Sequence, residues 1–329
     1  MSLRQESKKF DAILVAGEGK SSYKVYHQHK AFLKIEGKTV ISYVVEALQQ
    51  VESIKDIYIV GMKDKLQMAM EEAHIDLQYP KRIYIVEQRE NLYENVWNTF
   101  LKTISSEENS AGLINSVHKD TAVLVVPCDA PLITTAEVEY FIKNSDLENY
   151  DYALGLVSEK KLEHFYPRPG LPGIKMAYLH IKEDSYRINN LHFVKPLRIL
   201  NREYIQDMYR YRYQRDFKNV VLFVLKLISK VRLIKFKYYF GLEAGLLFTS
   251  LKIRPLVNFF RGWAPKKEVE QCISEIMKTR FTGLEVPFPG AALDIDNNRD
   301  YETIKLRFKE WREYLAHQRP QPIRSEYTT

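Results

Sequence analysis

The sequence predicts an α/β protein, a mostly parallel, twisted sheet with helices on both faces, interrupted by a mainly helical basic insertion. Three observations favour this fold class. Short apolar runs rich in β-branched residues alternate with longer segments of helical periodicity, as in sheets whose parallel strands are connected by helices. The 45% content of apolar residues is enough for a large core in a chain of 329 residues. The alternation changes near residue 151, and a basic segment begins near residue 198.

The first 150 residues predict strands and helices in regular alternation. Apolar, β-branched runs predict strands at 11–16, 56–60, 82–86 and 121–126. Apolar residues at helical spacing predict helices over 39–51, 63–73, 90–104 and 134–143. Ligands of parallel sheets bind beyond the carboxyl ends of the strands, so the residues that follow positions 16 and 126 form the candidate site.

The second half of the chain is less regular. Strands are predicted at 151–157, 174–181, 186–194, 283–286 and 291–295, with a Pro- and Gly-rich loop at 166–173. Segment 201–260 is predicted to be mainly helical, and further helices are predicted over 266–278 and 299–317. We therefore divide the chain into an α/β domain (1–197 and 283–317), a helical basic insertion (198–282) and a disordered tail (318–329).

The insertion concentrates the positive charge of the chain. Between Arg198 and Arg261, fourteen Lys and Arg residues accompany four acidic residues, a net charge of +10, whereas the whole chain carries +7. This imbalance predicts an acidic partner, such as a phosphorylated substrate or an anionic membrane. Packing of residues 217–240 against the sheet, with a solvated lysine edge, is the favoured interpretation, and a peripheral membrane contact through the same residues is the alternative. No recognised nucleic-acid-binding module is present, so a nucleic-acid partner is not predicted.

Composition also bears on the compartment. The chain has no run of about eighteen apolar residues, and residues 1–10 are charged rather than apolar. Cys128 and Cys272 have neither metal-binding nor disulfide spacing. We therefore expect a cytoplasmic protein whose membrane contact, where it has one, is peripheral. The sequence leaves the oligomeric state open, including a homo-oligomer.

A glycine-containing loop follows the first predicted strand. Backbone N–H groups of such a loop approach phosphate closely, and lysines in the loop add positive charge. The predicted nucleotide contacts of this region are Leu14, Ala16, Gly17, Gly19, Lys20, Lys24 and Lys30. For the glycine pair alone, an ordinary strand-to-helix turn is the alternative. His27 and His29 in the same loop are expected to be solvated.

Two further segments offer carboxylates, the hard oxygen ligands that divalent cations prefer. Asp129 follows the apolar strand at 121–126, where a helix cap is the alternative role. Asp294 and Asp296 alternate along a predicted strand and would face one side, so both carboxylates could face one ion. The alternative roles for Asp294 are a residue of an N-terminal turn and a buried hydrogen-bond acceptor. Asp300 is expected to cap the last helix or to interact with its dipole.

These segments resemble the MobA-like and sugar-phosphate nucleotidyltransferases, whose fold is of the glycosyltransferase-A type. The resemblance rests on three motifs: the Lys30-x-x-Leu33 segment ahead of Gly37-Lys38, the sequence PCDAPL at 127–132, and the Asp-x-Asp-x-x-x-Asp pattern at 294–300. It covers about residues 11–151 and 290–310. Where the family usually has Arg in the phosphate loop, this chain has Ser21, so the positive charge would come from Lys20 or Lys24.

The resemblance implies roles for individual residues. Asp129 and Asp296 would bind Mg²⁺ against the α-phosphate, and Lys30, together with Lys20, would act in catalysis. Asn95 would lie near the base and ribose. In the region that meets the acceptor, Arg and Asn side chains would bind its phosphate and hydroxyls, and solvent-facing strand positions are the alternative. The residues concerned are Lys175, Arg187, Asn189 and Asn190.

The function predicted in this way is Mg²⁺-dependent nucleotidyl transfer. A nucleoside triphosphate would pass its NMP group to a phosphorylated acceptor with release of pyrophosphate, the acceptor being a sugar-, polyol- or cofactor-phosphate, either a small molecule or lipid-linked. One alternative is a glycosyltransferase of the same fold that holds a nucleotide-sugar with the Asp-x-Asp at 294–296. Another is a non-catalytic protein that binds nucleotides or a membrane surface. The sequence does not disclose the base or the acceptor.

Overall fold

A mixed β-sheet is the largest feature of the computed structural model, which describes residues 8–18, 24–104, 117–202, 241, 244 and 253–318. Its strands in chain order are β1 (Phe10–Ala16), β2 (Lys24–Val25), β3 (Gln28–His29), β4 (Lys34–Ile35), β5 (Lys38–Thr39), β6 (Ile54–Gly61), β7 (Ile83–Glu87), β8 (Val123–Pro127), β9 (Tyr152–Ser158), β10 (Leu179–His180), β11 (Ser185–Val194) and β12 (Phe281–Glu285). The pairs β2–β3 and β4–β5 form two separate small hairpins.

Helices of the described residues cover both faces of this sheet. In chain order they are α1 (Val40–Gln49), α2 (Lys63–Glu72), α3 (Leu92–Ile104), α4 (Thr135–Asn144), α5 (Glu159–Leu162), α6 (Arg254–Arg261), α7 (Lys266–Met277) and α8 (Asn298–Ala316). Short 3₁₀ turns occur at Lys30–Phe32, Glu163–Phe165, Pro196–Arg198 and Gly290–Ala292.

The strand order across the main sheet is β12-β9-β11-β8-β1-β6-β7, with β10 paired to β11. Strands β8, β1, β6 and β7 are parallel to one another, and β12 is parallel to β9. Strand β11 runs antiparallel to both of its neighbours, β8 and β9. The prediction of an α/β fold with a mostly parallel sheet is therefore confirmed.

The central strand β1 contributes to two cores because successive side chains of a strand point to opposite faces. Ala12 and Leu14 belong to the larger core, which includes residues of α1, α4 and α8. Ile13 belongs to the second core, on the other face, with residues of α3 and α7. All three side chains are fully buried. The predicted placement of helices on both faces is confirmed by this division.

The strand predicted at 291–295 is wrong. Residues 290–292 form a 3₁₀ turn, and the segment that follows pairs with no strand of the described residues. Its backbone groups bind side chains instead: the Ala291 N–H donates to Glu137 Oε2 at 2.9 Å, and the Ala291 carbonyl accepts from Asn190 Nδ2 at 3.1 Å. The segment is apolar because it is buried among other elements, and burial alone does not distinguish a strand from a packed irregular segment.

The strand predicted at 174–181 is reduced to the two residues of β10. Strand β11 already pairs with β9 on one side, and on the other side β8 pairs with it at residues 192–194. Residues Leu179 and His180 pair with β11 at Tyr186 and Ser185. The apolar alternation before them arises from core packing, since Ile174 and Tyr178 are buried in the larger core without pairing to a strand.

The predicted division into domains stays a prediction. Of the range 198–282, the structure describes 198–202, 241, 244 and 253–282, which contain α6, α7 and the start of β12. Residues 217–240, with the predicted membrane contact, and 319–329 of the predicted tail lie outside the described residues. In the part of the chain that is described, no helix combines the length and apolar character needed to cross a membrane.

We expect Gly290→Ala to destabilise the fold. A β-carbon at Gly290 would lie 2.3 Å from the Leu132 carbonyl oxygen and 2.8 Å from Glu137 Oε2, so the backbone would have to shift. Such overpacking lowers the free energy of unfolding by about 2 kcal/mol, measurable by urea denaturation. Gly262→Ala is the control, because its β-carbon would approach only the Phe259 carbonyl oxygen, at 3.3 Å. Equal stability of the two variants would contradict the expectation.

We expect Asp11→Asn to stabilise the protein in a pH-dependent manner. Burial raises the pKa of Asp11 to about 6, against the lowering effect of Lys55, and Oδ1 has no hydrogen-bond partner among the described residues. Ionisation of this carboxyl therefore destabilises the native state as pH rises from about 4 through 6. The variant should exceed the parent by about 1 kcal/mol in urea denaturation at pH 7.5 and match it near pH 4. A constant difference at both pH values would refute this explanation.

Candidate active site

The candidate site lies at the carboxyl ends of β1 and β8. These strands are parallel neighbours, with Val15 opposite Pro127, and the Cys128 N–H donates to the Val15 carbonyl at 3.1 Å. The loop after β1 and the loop containing Asp129 therefore leave the sheet side by side. This is the position at which parallel sheets bind ligands, as predicted from the sequence.

The start of the loop after β1 is fixed by two side chains. Gln88 accepts from the Glu18 N–H at 2.7 Å and donates through Nε2 to the Glu18 carbonyl at 3.1 Å. A β-carbon on Gly17 would lie 2.4 Å from Asn95 Nδ2, so glycine is needed for this close approach. Asn95 is buried, and its Oδ1 accepts from the Arg89 N–H at 2.5 Å. The Asn95 side chain therefore supports the loop at Gly17 and is not exposed to solvent.

His29 is buried rather than solvated, which corrects the expectation for this residue. Its Nδ1 accepts from the Ala31 N–H at 3.3 Å and caps the 3₁₀ turn at Lys30–Phe32. Because Nδ1 accepts, Nε2 carries the proton and donates to the Gly17 carbonyl, also at 3.3 Å. Burial lowers the pKa of His29, although the Gly17 carbonyl and Glu18 oppose this effect. A neutral His29 therefore fixes the backbone from which Lys30 extends.

Lys30 lies between the two predicted metal ligands. Its Nζ is 3.1 Å from Asp129 Oδ2 and 3.3 Å from Asp296 Oδ1. Only 14% of the Lys30 side chain is exposed. Burial acts to lower the pKa of Lys30, but Asp129 and Asp296 outweigh it and raise the pKa above its ordinary value. The lysine is therefore a firmly protonated cation shared by two carboxylates.

Asp294 is paired with Arg187 of β11. Arg187 Nη2 lies 2.6 Å from Asp294 Oδ1 and 3.9 Å from Asp296 Oδ2, and Arg187 Nε donates to the Ala292 carbonyl at 2.9 Å. Burial raises the pKa of Asp294 to about 6, although Arg187 opposes it. Asp296 is much more accessible, with 58% of its side chain exposed. The two carboxylates approach one site without the strand alternation that the sequence suggested.

The loops of Asp129 and Asp296 are also joined through the backbone. The Ile295 N–H donates to the Asp129 carbonyl at 2.9 Å. Asn297 caps α8, and the Asp300 carboxylate accepts from the Asp296 N–H at 3.3 Å and from Asn297 Nδ2 at 2.7 Å. Asn297 rather than Asp300 is therefore the cap; Asp300 lies in the first turn of α8, where it orients the residue that carries the second carboxylate.

The structure brings together Lys30, Asp129, Asp296 and Arg187. Three of the four predicted acceptor contacts, Arg187, Asn189 and Asn190, lie against other parts of the protein. Asn190, whose φ is +61°, donates to the Ala291 carbonyl. Asn189 is fully buried, and its side chain lies against Gly155. Lys175, the fourth, is exposed.

The remaining predicted nucleotide contacts are placed as follows. The side chains of Leu14 and Ala16 are buried in the larger core, so only their backbone could meet a ligand. Lys24 is half exposed and pairs with Glu18 at 2.7 Å. Gly19 and Lys20 lie outside the described residues. Gln88 was not predicted; the signal that would have indicated it is a polar side chain directly after the strand that ends at Glu87.

We expect Arg187→Met to destabilise the protein, because it leaves Asp294 with a largely buried and unpaired charge. The free energy of unfolding should fall by about 2 kcal/mol, and Asp294→Asn in the same chain should recover about half of the loss. Arg198→Met is the control, since the Arg198–Asp120 pair is more exposed and such pairs contribute at most about 1 kcal/mol. Urea denaturation of the four combinations at Arg187 and Asp294 measures the coupling, and its absence would contradict this interpretation.

Comparison with solved structures shows where this fold occurs. A hypothetical transferase from Thermus thermophilus is 18% identical, with a TM-score of 0.55 over 89% of this chain and 99% of its own. The 4-diphosphocytidyl-2C-methyl-D-erythritol synthase of Anaerococcus prevotii is 12% identical, with a TM-score of 0.42 over 92% of this chain and 100% of its own. A CMP:2-keto-3-deoxy-manno-octonic acid synthetase complexed with CTP is 11% identical, with a TM-score of 0.46 over 92% of this chain and 99% of its own.

At these identities the first likeness shows the fold alone, and the last two, with lower TM-scores, carry no argument. No curated protein sequence matches this chain. The family model of the MobA-like NTP transferase domain matches residues 12–221, which include the loop after β1, Asp129 and Arg187. Because this match covers more than half of the sequence, the chain belongs to the MobA-like NTP transferase domain family.

Proposed function

We propose that this protein is a nucleotidyltransferase that transfers NMP from a nucleoside triphosphate to a phosphorylated acceptor. The observation that carries the proposal is the position of Lys30 between Asp129 and Asp296, at the carboxyl edge of the sheet, in a member of an NTP transferase family. A protonated lysine beside acidic side chains suits the binding of a triphosphate whose charge must be neutralised and oriented.

In the proposed reaction, an oxygen of the acceptor phosphate attacks the α-phosphorus of the triphosphate. The bond between the α-phosphorus and the oxygen that leads to the β-phosphate breaks, and pyrophosphate leaves with that oxygen. Lys30 neutralises charge on the phosphates, and backbone N–H groups of the loop after β1 stay predicted phosphate contacts. Lys20 and Lys24 stay predicted phosphate contacts, and Ser21, like Lys20, lies outside the described residues.

The donor set fits Mg²⁺, which the family resemblance implies. Asp129 and Asp296 would hold the ion, since their carboxylate oxygens already share the positive charge of Lys30. Mg²⁺ is usually held by one or two carboxylates together with substrate phosphates, so a complete protein cage is not required. Among the described residues, no group of three or more His, Cys, Asp or Glu side chains is placed to hold a metal ion. When bound, the ion would withdraw charge from the phosphates and orient them.

The acceptor is proposed by class only: a sugar-, polyol- or cofactor-phosphate, free or lipid-linked. The side chains of Asn190 and Arg187 already bind the 291–294 segment. They are therefore better suited to fix the shape of the acceptor side of the site than to bind the acceptor directly. Lys175, which is exposed, is the predicted acceptor contact that stays available. Cytoplasmic location, a peripheral membrane contact through 217–240 and a homo-oligomer stay predictions.

A glycosyltransferase of the same fold, using 294–296 to hold a nucleotide-sugar, is less well supported. Asp294 is held by Arg187 at 2.6 Å, which leaves Asp296 as the accessible carboxylate of that pair. Asp129, on the neighbouring loop, is the second carboxylate that faces Lys30. The arrangement therefore favours a site built from two separate segments over a site built from one Asp-x-Asp motif.

We expect one of ATP, CTP, GTP and UTP to raise the melting temperature in a Mg²⁺-dependent manner. At a concentration near 100 times Kd the shift should be about 5 °C. Asp129→Asn should lose the Mg²⁺-dependent part, because it removes a ligand charge. Asp64→Asn, an exposed aspartate of α2, should retain it. A panel of sugar- and polyol-phosphates with the chosen triphosphate should then yield pyrophosphate.

Two results would count against the proposal. A melting-temperature shift with nucleotide-sugars but with none of the four triphosphates would favour the glycosyltransferase. Triphosphate binding without pyrophosphate release, unchanged by Asp129→Asn, would favour a non-catalytic nucleotide-binding protein.

A further inference from the structure

We infer that the Lys30 ammonium and a divalent cation compete for one position between Asp129 and Asp296, so that Lys30 keeps the metal site closed until nucleotide arrives. This inference deepens the proposed function and rests on it for the identity of the site. In this second role, the Lys30 ammonium occupies the position of the metal ion as long as no nucleotide is bound. The role is additional to the proposed contact of Lys30 with phosphate.

The first step of the argument is the geometry. Lys30 Nζ is within 3.3 Å of one oxygen from each carboxylate, and the lysine and Asp129 side chains are only 14% and 17% exposed. Asp294 is already paired with Arg187, so Asp129 and Asp296 are the carboxylates that face the ammonium. The lysine therefore stands where a cation bound by both carboxylates would have to stand.

The second step is the charge. Lys30 and Arg187 carry two positive charges against three negative charges of Asp129, Asp294 and Asp296. A divalent cation added to this group would meet the ammonium at close range in a largely buried setting, where repulsion between like charges is only partly screened. The cation therefore binds well only after the ammonium has moved away.

The third step is the freedom of the side chain. The backbone of Lys30 is fixed, since His29 caps its 3₁₀ turn and the Leu33 N–H donates to the Lys30 carbonyl at 3.3 Å. The four-carbon chain beyond it is flexible and can carry the ammonium to another acceptor. A triphosphate bound at the adjacent loop supplies that acceptor, so nucleotide and metal ion bind cooperatively and the metal ion alone binds weakly.

The test measures binding of Mn²⁺ alone, without nucleotide, from the EPR signal of the free ion at room temperature. Lys30→Met should bind Mn²⁺ about tenfold or more tightly than the parent, because a competing positive charge is gone. Lys34→Met is the matched control; this lysine pairs with Glu72 on the surface, and its loss should leave Mn²⁺ affinity unchanged. Asp129→Asn added to Lys30→Met should remove the gain.

Equal or weaker Mn²⁺ binding by a folded Lys30→Met variant would overturn the inference. If that variant does not fold, amine labelling of the parent followed by mass spectrometry decides. Saturating Mn²⁺ should raise the labelling rate of Lys30 relative to that of Lys34, and an unchanged ratio would overturn the inference. If Lys30→Met gains Mn²⁺ affinity but the parent neither binds nor turns over any triphosphate, the proposed function is wrong. The inferred competition between Lys30 and the metal ion is then still supported.

Discussion

The ion pairs of Lys30 with Asp129 and Asp296 are the interaction on which the site depends, because they join three segments that are remote in sequence. A largely buried ammonium needs partners, and each partner lies on a different element: the 3₁₀ turn after β3, the loop after β8 and the segment before α8. The sheet provides the common frame, since β1 and β8 are parallel neighbours whose carboxyl ends open to the same edge. Removing Lys30 would leave two carboxylates without the cation that both of them contact.

The segment that carries Asp294 and Asp296 is held by side chains where a strand would be held by a neighbouring backbone. Glu137 of α4 accepts from the Ala291 N–H, and Arg187 and Asn190 of β11 donate to the carbonyls that follow. Burial raises the pKa of Glu137 well above its ordinary value, against the lowering effect of hydrogen bonds from Ala291 and Thr134. The position of the backbone at Ala291 and Ala292 is therefore fixed by residues more than 100 positions earlier in the chain.

The sequence allowed prediction of the fold class, of most strands and helices, and of the residues that meet at the site, since hydrophobic periodicity and polar residues after strands are local signals. It misplaced the strand at 291–295 because Ala291 and Ile295 are apolar through burial among other elements, a cause that a local pattern does not distinguish from strand pairing. The contacts of Arg187 and Asn190 with Ala292, Asp294 and Ala291 could not be predicted, because these partners lie about 100 residues away. The contact of Gln88 with the loop was not predicted, because its partner is the backbone of Glu18, seventy positions earlier.

The position of β12 at the edge of the sheet has a consequence for the order in which the molecule is made. Strand β12 pairs with β9, which precedes it by more than 120 residues, and Asp296 comes after β12 in the chain, beyond the 3₁₀ turn at Gly290–Ala292. During synthesis, which proceeds from the amino end, β1, β8 and the loop of Asp129 emerge long before this last strand. A ribosome-bound chain that has reached β11 therefore carries Lys30 and the first carboxylate without the second, and the site becomes complete only when nearly the whole described sequence has been translated.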